Sequence, residues 1–222
     1  MLLRLLIIAL ALLPISFAQN SPNWQFSLSS GYALNGVSDI LISQNGYEDI
    51  VLRNAKLVSK PFTVPYYYSF KASRKIVDEI YLEFELFHHK LYLEDLPKDV
   101  ERYEISDGYN LVFVNLVTEL EPNLNLRTGL GLVVAHPDII VRGKTNLSRR
   151  PTWELFLPGS GYHISGWTSQ IGLDAKIEIW GALSLIPEFK ITYSQAVVPI
   201  AEGSTIADNV AMHFLLGLKY SF

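Results

Sequence analysis

Apolar and polar residues alternate along this chain in eight separate stretches, each with the two-residue period of a strand. The first runs from about Trp24 to Leu34, with Trp24, Phe26, Leu28 and Tyr32 on one face and Gln25, Ser27 and Ser29 on the other. A second, about Val64 to Ser73, sets Tyr66, Tyr68 and Phe70 against Tyr67, Ser69 and Lys71. The third, about Ile80 to His88, sets Ile80, Leu82, Phe84 and Leu86 against Tyr81, Glu83, Glu85 and Phe87. Tyr109 to Thr118 is apolar on both faces, which leaves its phase open. Leu124 to Val134 opposes leucines to Asn125, Arg127 and two glycines. Ile164 to Ala175 opposes Trp167, Ile171 and Leu173 to Thr168, Gln170 and Asp174. Leu183 to Tyr193 opposes Phe189, Ile191 and Tyr193 to Ser184, Glu188, Lys190 and Thr192. The last stretch, Met212 to Phe222, carries Met212, Phe214, Leu216, Leu218, Tyr220 and Phe222 on one face and His213, Leu215, Gly217, Lys219 and Ser221 on the other, mostly polar one.

The segments between these strands alternate long and short: 35–63, 74–79, 89–108, 119–123, 135–163, 176–182 and 194–209. An even number of strands with short turns on one side and long loops on the other is the rhythm of a transmembrane barrel. The final strand, closing on Phe222 with Tyr220 and Leu218 on the same face, resembles the last strand of bacterial outer-membrane β-barrels. That resemblance implies that Leu218, Tyr220 and Phe222 form the signal read by the barrel assembly machinery. The chain as a whole resembles the small outer membrane proteins of the A and X type. The expected fold class is therefore all-β, an eight-stranded antiparallel up-and-down transmembrane β-barrel with long external loops and short periplasmic turns.

The start of the chain fits export. Residues 1–18 carry one basic residue, Arg4, then an apolar run from Leu5 to about Ile15, then Ser16-Phe17-Ala18. Small residues before Ala18–Gln19 mark a secretory signal peptide cleaved there, and that run is too short to span a bilayer as a helix. Residues 19–222 form the barrel domain. Without Arg4 the 18 basic residues fall to 17 against 22 acidic ones, a net −5, which argues against nucleic acid. No cysteine is present, which excludes disulfides, thiol chemistry and cysteine metal sites. The expected location is the bacterial outer membrane, with lipid and lipopolysaccharide as surroundings, the protein a monomer, and no cofactor.

Alternation alone does not say which face is inside. A secreted lipocalin-like barrel carrying a hydrophobic ligand also has eight strands, but with its apolar face inward. Aromatics near the strand ends favour the membrane version: Trp24, Phe26, Tyr220 and Phe222 at one rim, Tyr32, Tyr66, Tyr68, Trp167 and Tyr193 at the other. The polar face then puts Lys71, Glu83, Glu85, Arg127, Asp174, Glu188, Lys190 and Lys219 in the lumen as a network of opposite charges. Eight strands leave room for side chains only, so at most a narrow pore is expected.

Candidate chemistry is sparse. No phosphate-binding loop, His-Glu-x-x-His or Gly-x-Ser-x-Gly occurs. His88 and His89 read as solvated loop residues, and His136 with Asp138 lacks a third metal ligand. His163 and Ser165 lie two apart, on a face that continues through Trp167 toward lipid, and could pair as base and nucleophile. They are similar to the His-x-Ser of lipid A deacylases, which implies an acyl hydrolase as the alternative function. The chain departs from that family, with Gly166 where the family has Asn and no acid on the same face. Arg142, Lys144, Arg149 and Arg150 sit in an external loop and are candidates for lipopolysaccharide phosphates. The function expected is non-enzymatic: envelope integrity, or surface interaction and adhesion through the loops.

Overall fold

The computed structural model describes residues 23–145 and 161–222. The expected signal peptide, Arg149 and Arg150 lie outside the described residues. In chain order the strands are β1 (Trp24–Asn35), β2 (Val37–Gln44), β3 (Ile50–Val58), β4 (Tyr68–Val77), β5 (Ile80–Leu93), β6 (Val100–Glu121) and β7 (Leu124–Ala135), followed by β8 (Asp138–Val141), β9 (Lys144–Thr145), β10 (His163–Ala175), β11 (Ile177–Trp180), β12 (Leu183–Ile200), β13 (Gly203–Ile206) and β14 (Asn209–Ser221).

Eight of them pair antiparallel in an unbroken ring: β1–β4–β5–β6–β7–β10–β12–β14 and back to β1. Closure is made by the last strand on the first, from Gln25↔Ser221 to Asn35↔Ala211. Trp24 and Phe222 seal the seam with reciprocal backbone bonds of 3.1 and 3.0 Å. No unpaired strand edge is left within this ring, which is what lipid demands of a sheet. The fold is an all-β, eight-stranded up-and-down barrel.

The alternation sorts the two faces. On β14, Met212, Phe214, Leu216, Leu218 and Tyr220 point outward and are exposed, while His213, Leu215 and Lys219 are buried. The same phase holds on β5, where Leu82 and Phe84 face out and Glu83 and Glu85 face in. β6 resolves its ambiguous phase: Val114 and Leu116 face out, and Tyr109, Leu111, Phe113 and Asn115 are buried inside. An apolar exterior around a charged interior is the inverse of a water-soluble ligand-binding barrel and the arrangement of one that crosses a bilayer. Short turns close the inner end. Glu79 (φ 68°) and Asn123 (φ 75°) take the left-handed conformation that tight hairpins require.

The long segments differ from the expected loops. β6 has 22 residues, about 70 Å at ~3.3 Å per residue, whereas about 9–11 tilted residues cross a bilayer. β5, β6 and β12 therefore run on past the barrel. β2, β3, β8, β9 and β13 join them, in the ladder β12–β13–β2–β3–β5–β6–β8–β9. This outer extension has its own apolar core, including Ile40, Ile42, Leu57, Leu91, Tyr103, Ile105, Ile139, Val198 and Ile200. The core is continuous with Tyr67, Phe87, Tyr109, Leu111 and Phe113 in the upper lumen. The inner turn 176–182 also carries structure. There β11 pairs with the start of β12 and displays Ile177, Ile179 and Trp180, the last 84% exposed.

Candidate functional site

The lower lumen holds four acids and four bases from six strands, all buried. Arg127 on β7 lies at the centre. Its Nε and Nη2 donate to Glu83 Oε1 and Oε2 on β5 at 2.6 and 3.2 Å. Its Nη1 reaches Asp174 Oδ2 on β10 at 2.9 Å and Glu188 Oε1 on β12 at 3.1 Å. Lys71 on β4 pairs with Glu188, Lys190 on β12 with Glu85 at 2.5 Å, and Lys219 on β14 with Asp174 at 3.6 Å. Neutral donors complete the shell: Ser69 and Gln170 to Glu85, Ser73 and Asn115 to Glu83, and Asn125 to Asp174, at 2.6 to 2.9 Å. Buried ions are tolerated only when each finds opposite charge and hydrogen bonds, and the balance of four against four with these donors meets that condition. Asn125 and Gln170 stand on the polar faces read from the sequence, whereas Asn115 lies on the strand whose phase alternation leaves open. None of the three carries a charge that marks it as part of the network.

Above the charges lies a layer of rings. His213 on β14 meets Tyr67 Oη through Nδ1 at 2.5 Å and Thr192 Oγ1 through Nε2 at 2.8 Å. His89 packs edge-on against His213 and Tyr109, with centroids 5.2 and 6.1 Å away, and its Nε2 is 3.0 Å from Asn35 Oδ1. Phe87 stands between Tyr67 and His213, and Lys190 Nζ lies 3.7 Å above its ring centre. The expectation of solvated histidines is thus corrected. β5 continues to Leu93, so His89 falls inside the barrel and His88 packs under an overhang on its outside. Water reaches the inner mouth, a polar cavity of ≈ 110 Å³ lined by residues that include Glu83, Asn125 and Lys219. Beyond it the charge cluster, the ring layer and the apolar core fill the lumen in succession.

His163 and Ser165 lie at an irregularity near the start of β10. A bulge between Ile164 and Gly166 shifts the register of β10 against β7. Trp167 therefore faces outward and both His163 and Ser165 are buried. The two residues do not continue the lipid face, which corrects the expectation from simple alternation, because a bulge resets the two-residue period. Ser165 Oγ donates to the His163 carbonyl at 3.1 Å. His136 and Asp138 also diverge: His136 Nδ1 lies 3.5 Å from Asp107 Oδ2, and Asp138 pairs with Arg102 at 2.6 Å. Among the described residues no group of three or more His, Asp or Glu could hold a metal ion.

Of the basic loop residues, Arg142 and Lys144 lie at the outer tip. Arg142 donates to the Glu48 carbonyl at 2.9 Å and lies over the Tyr47 ring. Lys144 pairs with Glu202 at 2.5 Å, and that bond holds its ammonium above its ordinary pKa. Both side chains thereby tie separate external segments together. At the opposite rim, Phe222 stacks on Phe26 with centroids 5.6 Å apart and lies tilted against Tyr220 at 5.9 Å. Leu218 and Tyr220 extend the same exposed outer face.

Ring closure, outward apolar residues and inward charge define a small eight-stranded barrel of the outer-membrane type. No protein-family model matches the chain, and no curated protein matches it. Solved structures that resemble it are outer-membrane proteins. The crystal structure of Ail, the attachment invasion locus protein of Yersinia pestis, is 13% identical (TM-score 0.46, 90% of this chain and 99% of that one). AlkL, determined by solid-state NMR in lipid bilayers, is 13% identical (TM-score 0.46, 95% and 94%). OprG from Pseudomonas aeruginosa is 12% identical (TM-score 0.46, 90% and 97%).

Proposed function

We propose that this protein is a monomeric barrel of the bacterial outer membrane that acts without enzymatic chemistry, as a sealed anchor for a structured external surface. The observation that carries this reading is the continuity of the core. The apolar residues that fill the upper lumen pass directly into the core of the extension, so barrel and projection share one core. A lumen packed this way favours display over passage, because a solute path needs empty, hydrated space. The displayed surface combines paired charges, such as Arg53–Asp39 and Arg102–Asp138, with exposed apolar residues such as Val51 and Leu96. Its role is surface attachment, or support of the envelope through contacts with neighbouring molecules, lipopolysaccharide phosphates included. The acyl-hydrolase alternative loses its support with Ser165 turned away from lipid.

The test replaces residues 37–58, the β2–β3 hairpin, by a short turn. Cells making either form are then compared for attachment to surfaces and for sensitivity to large antibiotics, with heat-dependent gel mobility as the check on the barrel. Loss of attachment or of the envelope barrier in the shortened form supports display through the extension. Equal behaviour of the two forms sinks it.

A further inference from the structure

The barrel's outer wall carries a groove of ≈ 500 Å³ just below the extension, separate from the lumen. Its floor is Leu86, Val112 and Val134, outward-facing residues near the outer ends of β5, β6 and β7. Leu86 opposes Val112 across the β5–β6 ladder, and Asn110 opposes Val134 across β6–β7. The floor therefore continues the outward apolar face that Phe84, Val114 and Leu132 expose beside it, with Val134 itself covered. Its upper end is polar: His88, Asn110, Asp107 and His136 line it.

Two glycines in left-handed backbone make room for this polar end. A Cβ on Gly108 (φ +144°) would run into the Asn110 side chain, and one on Gly161 (φ +76°) would come within 2.5 Å of His136 Nε2. A side chain at either position would both strain the backbone and displace a lining residue. His88 supplies an independent sign of a ligand. It is 4% exposed, its Nδ1 is 2.8 Å from Asn110 Oδ1, and its Nε2 has no hydrogen-bond partner among the described residues. With Nδ1–H donating to Asn110, Nε2 carries a lone pair and can only accept. A buried acceptor left unsatisfied costs free energy that a donor on a ligand would recover. Asp107, half-exposed at the same end, accepts as well.

We propose that this groove binds an outer-leaflet amphiphile, with an acyl chain lying on Leu86, Val112 and Val134 and a head bearing N–H or O–H donors turned toward Asp107, His136 and His88. The occupant follows from position and chemistry. The floor continues the apolar outer face, the polar end sits at headgroup height, and that end offers acceptors where a donor-bearing head can satisfy them.

The full chain, refolded in phosphatidylcholine vesicles, is exposed to two diacyl phospholipid probes with a photoreactive diazirine midway along one acyl chain. One has an ethanolamine head, with three N–H donors; the other has a choline head, with none. Adducts are mapped by peptide mass spectrometry. The expected result is several-fold more ethanolamine than choline adducts on peptides holding Leu86, Val112 and Val134, and equal labelling of the opposite wall around Phe214 and Leu216. Val112→Trp, on the lipid face and away from the core, is expected to lower groove adducts several-fold and leave the opposite wall unchanged. Equal labelling by both heads in the unaltered protein, or adducts spread evenly around the barrel, would overturn the proposal. So would groove adducts indifferent to Val112→Trp in protein that keeps its heat-dependent mobility.

Discussion

Arg127 and Glu83 face each other across the lumen in a two-pronged contact, Nε to Oε1 at 2.6 Å and Nη2 to Oε2 at 3.2 Å, with each side chain almost wholly buried. The planar guanidinium can serve Glu83 in this way and still reach Asp174 and Glu188 with Nη1. A lysine offers one point charge in place of that fork. Arg127 is therefore the residue on which three of the four lumen acids depend.

Removing it leaves those buried acids with fewer cations to balance them. Arg127→Met is expected to cost about 3–5 kcal/mol, the usual penalty for breaking a buried ion pair from one side. Urea unfolding of the barrel in vesicles measures it. Adding Glu83→Gln should recover part of the loss, because one uncompensated charge is then gone. A loss below about 1 kcal/mol, the worth of an exposed pair, would mean that water fills the lumen.

Trp180 projects from the inner turn beside Ile177 and Ile179. An indole in that position settles at the headgroup level, apolar body toward the chains and N–H toward water. Trp180→Phe should remove emission that lipids brominated near the head quench strongly and lipids brominated deep in the chain quench weakly. Emission unaffected by either lipid would place β11 in bulk water.

Asp39 lies on the external part of β2, fully in reach of solvent. The Asn54 backbone N–H, 3.0 Å away, is the larger cause that holds its carboxyl below the ordinary 3.8, and Arg53 adds to it. A depressed carboxyl stabilises the folded hairpin above its ordinary value and loses that contribution as pH falls through the lowered one. In an NMR titration Asp39 should titrate below 3.8. Arg53→Gln should raise it only part of the way, since the backbone bond remains. Full return to the ordinary value would show that the charge, and not the backbone, sets it.

Ser165 donates to the carbonyl of His163 and is turned from the lipid face by the bulge. Lipid A from a host making the Ser165→Ala form should carry the same acyl chains as lipid A from a host making the unaltered protein, by mass spectrometry. A difference between the two would restore the hydrolase.

The ring of strands was legible because lipid on one side and a crowded lumen on the other impose a strict two-residue period, as on β14 from Met212 to Tyr220. Counting alternate positions likewise puts Lys71, Glu83, Arg127 and Glu188 on one face. Which acid meets which base depends on the stagger between strands, and no single strand records that. The external strands were missed because Val37–Gln44 and Ile50–Val58 mix apolar and polar residues without the clean alternation of a wall between lipid and lumen. His89 is hidden for a related reason. The membrane-spanning pattern of its strand stops at His88, although the chain continues as sheet for five residues more, to Leu93. At Ser165 the bulge broke the period itself, and a bulge leaves little trace in composition.

The most direct measurement is to express the full chain in a Gram-negative host, separate outer membranes from periplasm, and compare heated with unheated samples by SDS gel electrophoresis. A closed barrel with an apolar exterior should be found in the outer-membrane fraction and change its apparent size on heating. Recovery as a soluble periplasmic protein whose mobility heating does not alter would contradict the account.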